Sequence, residues 1–145
     1  MVNRCFNLLV CLTAFFLSSC ATPFTGGVAI SRPDSHVHVY EAKEDVVLRA
    51  TAHIIREKGL GQNVTINRAD RVVLSDFVES DGWRTKTVAS VKQINWKECE
   101  LSLSVITEKQ QKAGWEMRRL VEKDQYDKIF SAIDTRIYEE MSRLH

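Results

Sequence analysis

The chain has 145 residues, 20 of them Lys or Arg and 19 Asp or Glu, and 44% are hydrophobic. This length fits a single domain that buries its own core. A nucleic-acid binder would show a basic excess or stripe, and here Arg118 and Arg119 are offset by Glu116 and Glu122, so no nucleic-acid partner is expected.

Arg4 is the only charge before Cys20, and the run from Cys5 to Leu17 is almost wholly apolar. A positive start followed by an apolar segment of about 7–15 residues has the proportions of a secretory signal. A membrane-spanning helix needs about 20 apolar residues, and this run is too short. It closes on Leu17, Ser18, Ser19 and Cys20. Small residues directly ahead of a cysteine resemble the lipobox of bacterial lipoproteins, which ends a type II signal peptide.

The resemblance implies that residues 1–19 are a signal peptide and that a diacylglyceryl group is joined to the Cys20 sulfur. The new amino end is then often acylated as well, and two or more chains hold a protein stably on a membrane. In that family an acidic residue after the cysteine favours the inner membrane. Ala21 follows here, so the resemblance implies an outer-membrane lipoprotein with its domain in the periplasm. The same residues also admit an ordinary signal peptide cut elsewhere, or an uncleaved anchor.

Cys5 and Cys11 leave with the leader and Cys20 carries lipid on this reading, which makes Cys99 the one free thiol and rules out an intramolecular disulfide. Cys99 reads as a small buried apolar residue in a strand. An intermolecular bridge or a reactive thiol is the alternative for an odd cysteine in an exported protein.

Residues 20–35 hold Pro23, Gly26, Gly27 and Pro33 with few large apolar groups, the chemistry of a flexible linker. Fully stretched, it would set the domain up to about 50 Å from the bilayer. A single domain is expected over 36–145. It opens with a period-2 strand, His36 to Tyr40, in which His36 and His38 share a face. Two such histidines could seed a metal site, but no cluster supplies the further ligands, so they read as exposed strand residues and no metal or other cofactor is expected.

From Lys43 to Lys58, Val46, Val47, Ala50, Ile54 and Ile55 recur at spacings of three and four, which predicts an amphipathic helix. Glu44 and Asp45 suit its first turn, and Gly59 its end. Strand-like runs follow at Asn63 to Asn67 and Arg71 to Val78, with a hairpin turn at Ser80 to Gly82. The run Trp83 to Trp96 alternates, with a phase slip near Ile94 that suggests a bulge. Cys99, Leu101, Leu103 and Val105 alternate with polar residues in the clearest strand of the chain. Trp115, Met117 and Arg119 mark the last strand, after a polar turn.

Tyr126, Ile129, Phe130, Ile133, Ile137, Met141 and Leu144 form one helical stripe, with Asp124 placed to cap. Such a stripe covers a sheet or meets a partner or membrane, and the sheet needs a cover. The expected class is α+β and two-layer, an antiparallel meander of about four to five strands covered by two helices. This order of elements resembles the helix-grip domains of small envelope lipoproteins, including one in the outer-membrane barrel assembly machinery.

Gly-x-Ser-x-Gly, His-Glu-x-x-His and Cys-x-x-Cys are absent from the sequence. Asp76, Glu79 and Asp81 read as a solvated turn, not an acid/base pair, so nothing nominates a reaction. The expected function is a non-enzymatic lipid-anchored envelope protein. It would touch the membrane through lipid on Cys20 and serve as a binding or assembly accessory to an envelope protein. The alternative is a small-molecule or lipid-binding module with its groove between the C-terminal helix and the sheet. A groove filled by Trp96, Trp115 and Phe130 speaks for a solid core, and an apolar pocket of about 300 Å³ or more for a ligand.

Overall fold

The computed structural model describes residues 26–143. In chain order these form β1 (Val28–Ala29), β2 (His36–Tyr40), α1 (Glu44–Glu57), β3 (Gln62–Asn67), β4 (Val72–Asp76) and β5 (Val78–Ser80). β6 (Trp83–Gln93), β7 (Cys99–Gln111), β8 (Gly114–Arg119) and α2 (Lys123–Ser142) complete the order. One antiparallel sheet runs β1-β8-β7-β6-β4-β3, with β2 beside β7 and β5 beside β6. The α+β class therefore holds, but the sheet has eight strands where the sequence predicts four or five.

Two of the extra strands have identifiable causes. β1 lies in the stretch that composition assigns to a linker, and it pairs with β8 through Val28↔Arg119 and Ala29↔Arg118. The run Arg71 to Val78 breaks at Phe77 because the register against β6 slips by one between Leu74↔Val88 and Val78↔Thr85. Ser75 fills the slip, its Oγ accepting the Thr87 amide at 2.8 Å. Gly61 packs against that serine, where any Cβ would overlap the Ser75 side chain. Close approach, rather than the turn alone, demands glycine there.

The phase slip near Ile94 is likewise not a bulge. β6 ends at Gln93, and Ile94 and Asn95 donate their amides to Glu98 O at 3.0 and 3.3 Å as the chain reverses into β7. Asn95 Oδ1 accepts the Lys97 and Glu98 amides at 2.8 and 3.0 Å, which fixes the turn. Trp96 stands at its tip, 82% exposed.

α1 forms where its periodicity places it, with Glu44 and Asp45 in the first turn and Gly59 ending it at a φ of 62°. α2 is capped by Glu122 rather than Asp124, which sits in the first turn. The Glu122 amide donates to Gln125 Oε1 at 2.8 Å, half of a capping box. Both helices cover one face of the sheet. Between them and Leu101, Leu103, Val91 and Val73 lie Val47, Ile55, Tyr126, Phe130 and Ile133, all buried. Met141 is largely out of this core, and Leu144 lies outside the described residues.

The strand β7 sets a problem that α2 solves. β6 pairs with it from Cys99 to Lys109, but its other side is shared, by β2 over Cys99–Leu103 and by β8 over Thr107–Gln111. Residues 104–106 fall in the gap between those two. The Val105 amide points into it and donates to the Tyr126 hydroxyl at 2.9 Å, while Ser104 Oγ donates to Asp34 O at 2.6 Å. A buried amide left without an acceptor costs about 1–3 kcal/mol. Tyr126→Phe keeps the ring and removes that acceptor, so urea unfolding should show a loss of about 1–3 kcal/mol, with faster hydrogen exchange at Val105.

Candidate functional site

Leu17, Ser18, Ser19 and Cys20 lie outside the described residues. Residues 26–35, just downstream, are docked on the domain and do not extend away from it. Arg118 Nη1 donates to Gly26 O and Gly27 O at 3.3 and 3.1 Å. Ile30 donates its amide to Met117 O at 3.1 Å, and Arg119 grips the Asp34 carboxylate with two nitrogens. The Arg119 guanidinium holds the Asp34 carboxyl below its ordinary range.

The face of the sheet beneath the helices is filled. His36 stacks on Tyr126 at 3.9 Å between ring centroids, and His38 on Phe130 at 5.3 Å, so the two histidines do share a face. Tyr40 donates its hydroxyl to Phe130 O at 2.9 Å, and burial pushes its pKa up. Cys99 is buried and its thiol is raised by desolvation, with Ala42 O as its partner at 3.1 Å. That is the environment of a packed residue rather than a thiolate nucleophile.

Two clefts open on the helix side. One of about 310 Å³ is lined by His38, Asp127, Phe130, Ser131 and Asp134. The other, about 350 Å³, lies between the helices, lined by His53, Glu57, Arg136 and Glu139 among others. Both reach the volume that would suit a small ligand, yet both are open and lined largely by polar and charged groups. Among the described residues no group of three His, Cys, Asp or Glu is placed to hold a metal. Phe130 occupies the groove between α2 and the sheet, but Trp96 and Trp115 do not. Trp96 is at a turn tip, and Trp115 lies opposite Gln110 on the other face.

That uncovered face carries an organised group of side chains. Register places Arg84 opposite Glu108, Lys86 opposite Ile106 and Met117 opposite Glu108, all pointing away from the helices. The Arg84 guanidinium lies between two rings, 4.2 Å from the centroid of Phe77 and 4.3 Å from that of Trp115, and is paired with Glu108. Lys86 Nζ also approaches Phe77, 4.6 Å from the ring centroid. The Arg84, Phe77 and Trp115 side chains are half-buried. Each cation–π contact contributes about 0.5–2 kcal/mol and fixes the guanidinium plane.

Such a patch offers flat apolar area with a charge held in one orientation, which is the make-up of an interaction hot spot. The alternation in the run from Trp83 made a two-faced strand readable there. The folding of Phe77 over Arg84 follows from the Ser75 register slip and had no local signal.

A two-layer α+β domain with one open sheet face is the class that these elements define. No protein-family model matches the chain, and comparison with curated proteins finds none similar to it.

The Asp34–Arg119 pair generates a pH dependence. Because the folded pKa of Asp34 is lowered, its contribution is complete above the unfolded carboxyl value of about 3.9 and is lost as pH falls through the folded value below that. Protection of the Ile30 amide, corrected for intrinsic exchange, should be level from neutral pH down to about 4 and drop below it. Asp34→Asn should lower that protection at neutral pH and flatten the acid limb.

Proposed function

We propose that the protein is a non-enzymatic, lipid-anchored envelope protein, held at the outer membrane through Cys20 with its domain in the periplasm. It acts there as a binding or assembly accessory for an envelope protein. The observation that carries the binding role is the Phe77–Arg84–Trp115 stack on the face that neither helix covers. Trp, Tyr and Arg dominate the energetics of protein interfaces, the aromatics by bringing large rigid area at low entropic cost and Arg by its planar, stacking guanidinium. The open, largely polar lining of the cleft between α2 and β2 supports the same reading over a carrier of apolar ligands, and Tyr126, Phe130 and Ile133 fill the core beneath it.

The anchoring half rests on Leu17, Ser18, Ser19 and Cys20. Cys20→Ser should move the protein from the membrane fraction to the soluble one, or leave it unprocessed. Normal trimming with unchanged membrane retention would end that half of the proposal.

The binding half is tested with a photoreactive residue at Met117, beside the stack, in the full-length protein at native abundance. A crosslinked product of defined mass is expected there and not from the same probe at Ser131 on the helix face. Arg84→Ala should weaken that capture by about tenfold or more while circular dichroism stays unchanged. A probe at Met117 that captures nothing would sink the accessory role.

A further inference from the structure

Nine large hydrophobic residues are exposed among the described residues. Four of them, Val37, Val39, Ile94 and Trp96, lie between the level of Gly26 and the tip of the β6–β7 turn, and Val28 and Leu120 lie beside Gly26. Val28 and Leu120 flank the β1–β8 edge, Val37 and Val39 project from β2, and β2 runs beside the part of β7 that meets the turn. At the tip Lys97 Nζ lies 4.5 Å from the Trp96 ring centroid. A tryptophan with a neighbouring lysine suits the boundary between lipid headgroups and acyl chains, where the ring is half-wetted and the ammonium reaches water or phosphate.

Chain length limits how far the domain stands from the anchor. With residues 26–35 docked, six residue steps separate Cys20 from Gly26, and fully extended they reach at most about 20 Å. Gly26 is level with about the middle of β7, and the turn tip lies about 25 Å farther along the strands. With the strands upright on the bilayer, a tether shorter than that distance brings the lower end of the sheet into contact with it. Both ends of the sheet are about equally far from Gly26, and among the described residues it is the turn end that exposes large apolar side chains, Ile94 and Trp96, to meet lipid.

We infer that the β6–β7 turn is a second membrane contact, in which Trp96 and Ile94 enter the headgroup layer of a phospholipid bilayer and Lys97 meets its phosphates. This rests on the anchoring at Cys20 proposed above. It leaves the Phe77–Arg84–Trp115 stack, at the opposite end of β6, directed away from the lipid.

The test uses the full lipoprotein, purified and reconstituted in vesicles of equal parts phosphatidylethanolamine and phosphatidylglycerol, with and without bromine on the acyl chains. Mass spectrometry of the same sample reads the acyl chains on Cys20. Trp96→Phe serves as the comparison, because a residue this exposed can be changed without disturbing the core. Brominated lipid should lower the fluorescence assigned to Trp96 by about twofold and leave Trp96→Phe nearly unchanged. Equal emission in both vesicles with Cys20 acylated would overturn the turn contact and leave the anchor standing. A Cys20 without acyl chains would overturn the anchor, and this contact with it. A photoreactive residue at position 96 that labels an envelope protein instead of lipid would overturn the lipid contact in favour of a protein one.

Discussion

The hydrogen bond from the Val105 amide to the Tyr126 hydroxyl is where the two layers of this domain are made to agree. A strand of thirteen residues at the centre of a sheet needs partners along both sides. β7 finds a single long partner on one side and two short ones on the other, which leaves a gap that no strand fills. Closing it with a tyrosine from α2 ties the rotation of that helix to the register of the sheet. His36, stacked on the same ring, and Asp34, accepting from Ser104, then fix where β2 starts.

The outer surface of the helix layer is fixed by charge rather than by packing. Glu140, with its side chain 14% exposed, receives Arg49 from α1 at 3.0 Å and Arg136 from its own helix at 3.3 Å. Asp45 joins Arg49 to Arg68 in the turn after β3, and Arg71 reaches Glu44 at 3.2 Å. The more exposed of these pairs contribute roughly 0–1 kcal/mol each, and Arg49–Glu140 is the one that joins α1 to α2. The apolar residues underneath supply the stability.

Elements whose cause is local were legible in the sequence. α1 followed from the spacing of Val46, Val47, Ala50, Ile54 and Ile55, and β7 from Cys99, Leu101, Leu103 and Val105 against their polar neighbours. Elements whose cause is distant were not. Val28 and Ala29 become a strand only because β8 offers an edge and Arg119 holds Asp34, and glycine and proline around them looked like linker. Phe77 became part of a surface site through a slip set by Ser75 and Thr87, twelve positions apart. The turn at Ile94 to Glu98 resembled a bulge because Ile94 and Trp96 are large and apolar, whereas turns usually announce themselves with glycine. Leu17 to Cys20 lie outside the described residues, so the lipobox reading stands on sequence alone.

The short strap formed by β1 has a consequence for solubility. A β-strand at the border of a sheet presents unpaired amides and carbonyls that can template pairing with another molecule, and the risk grows where molecules are crowded. β8 would be such a border, but Val28 and Ala29 occupy its C-terminal half under the two arginines. At the far border, β3 is blunted differently: Asn63 sits at a φ of 49° and the register breaks between Gln62 and Thr65. Neither border offers a long straight ladder, so copies of this protein packed side by side have little means of zipping into an aggregate.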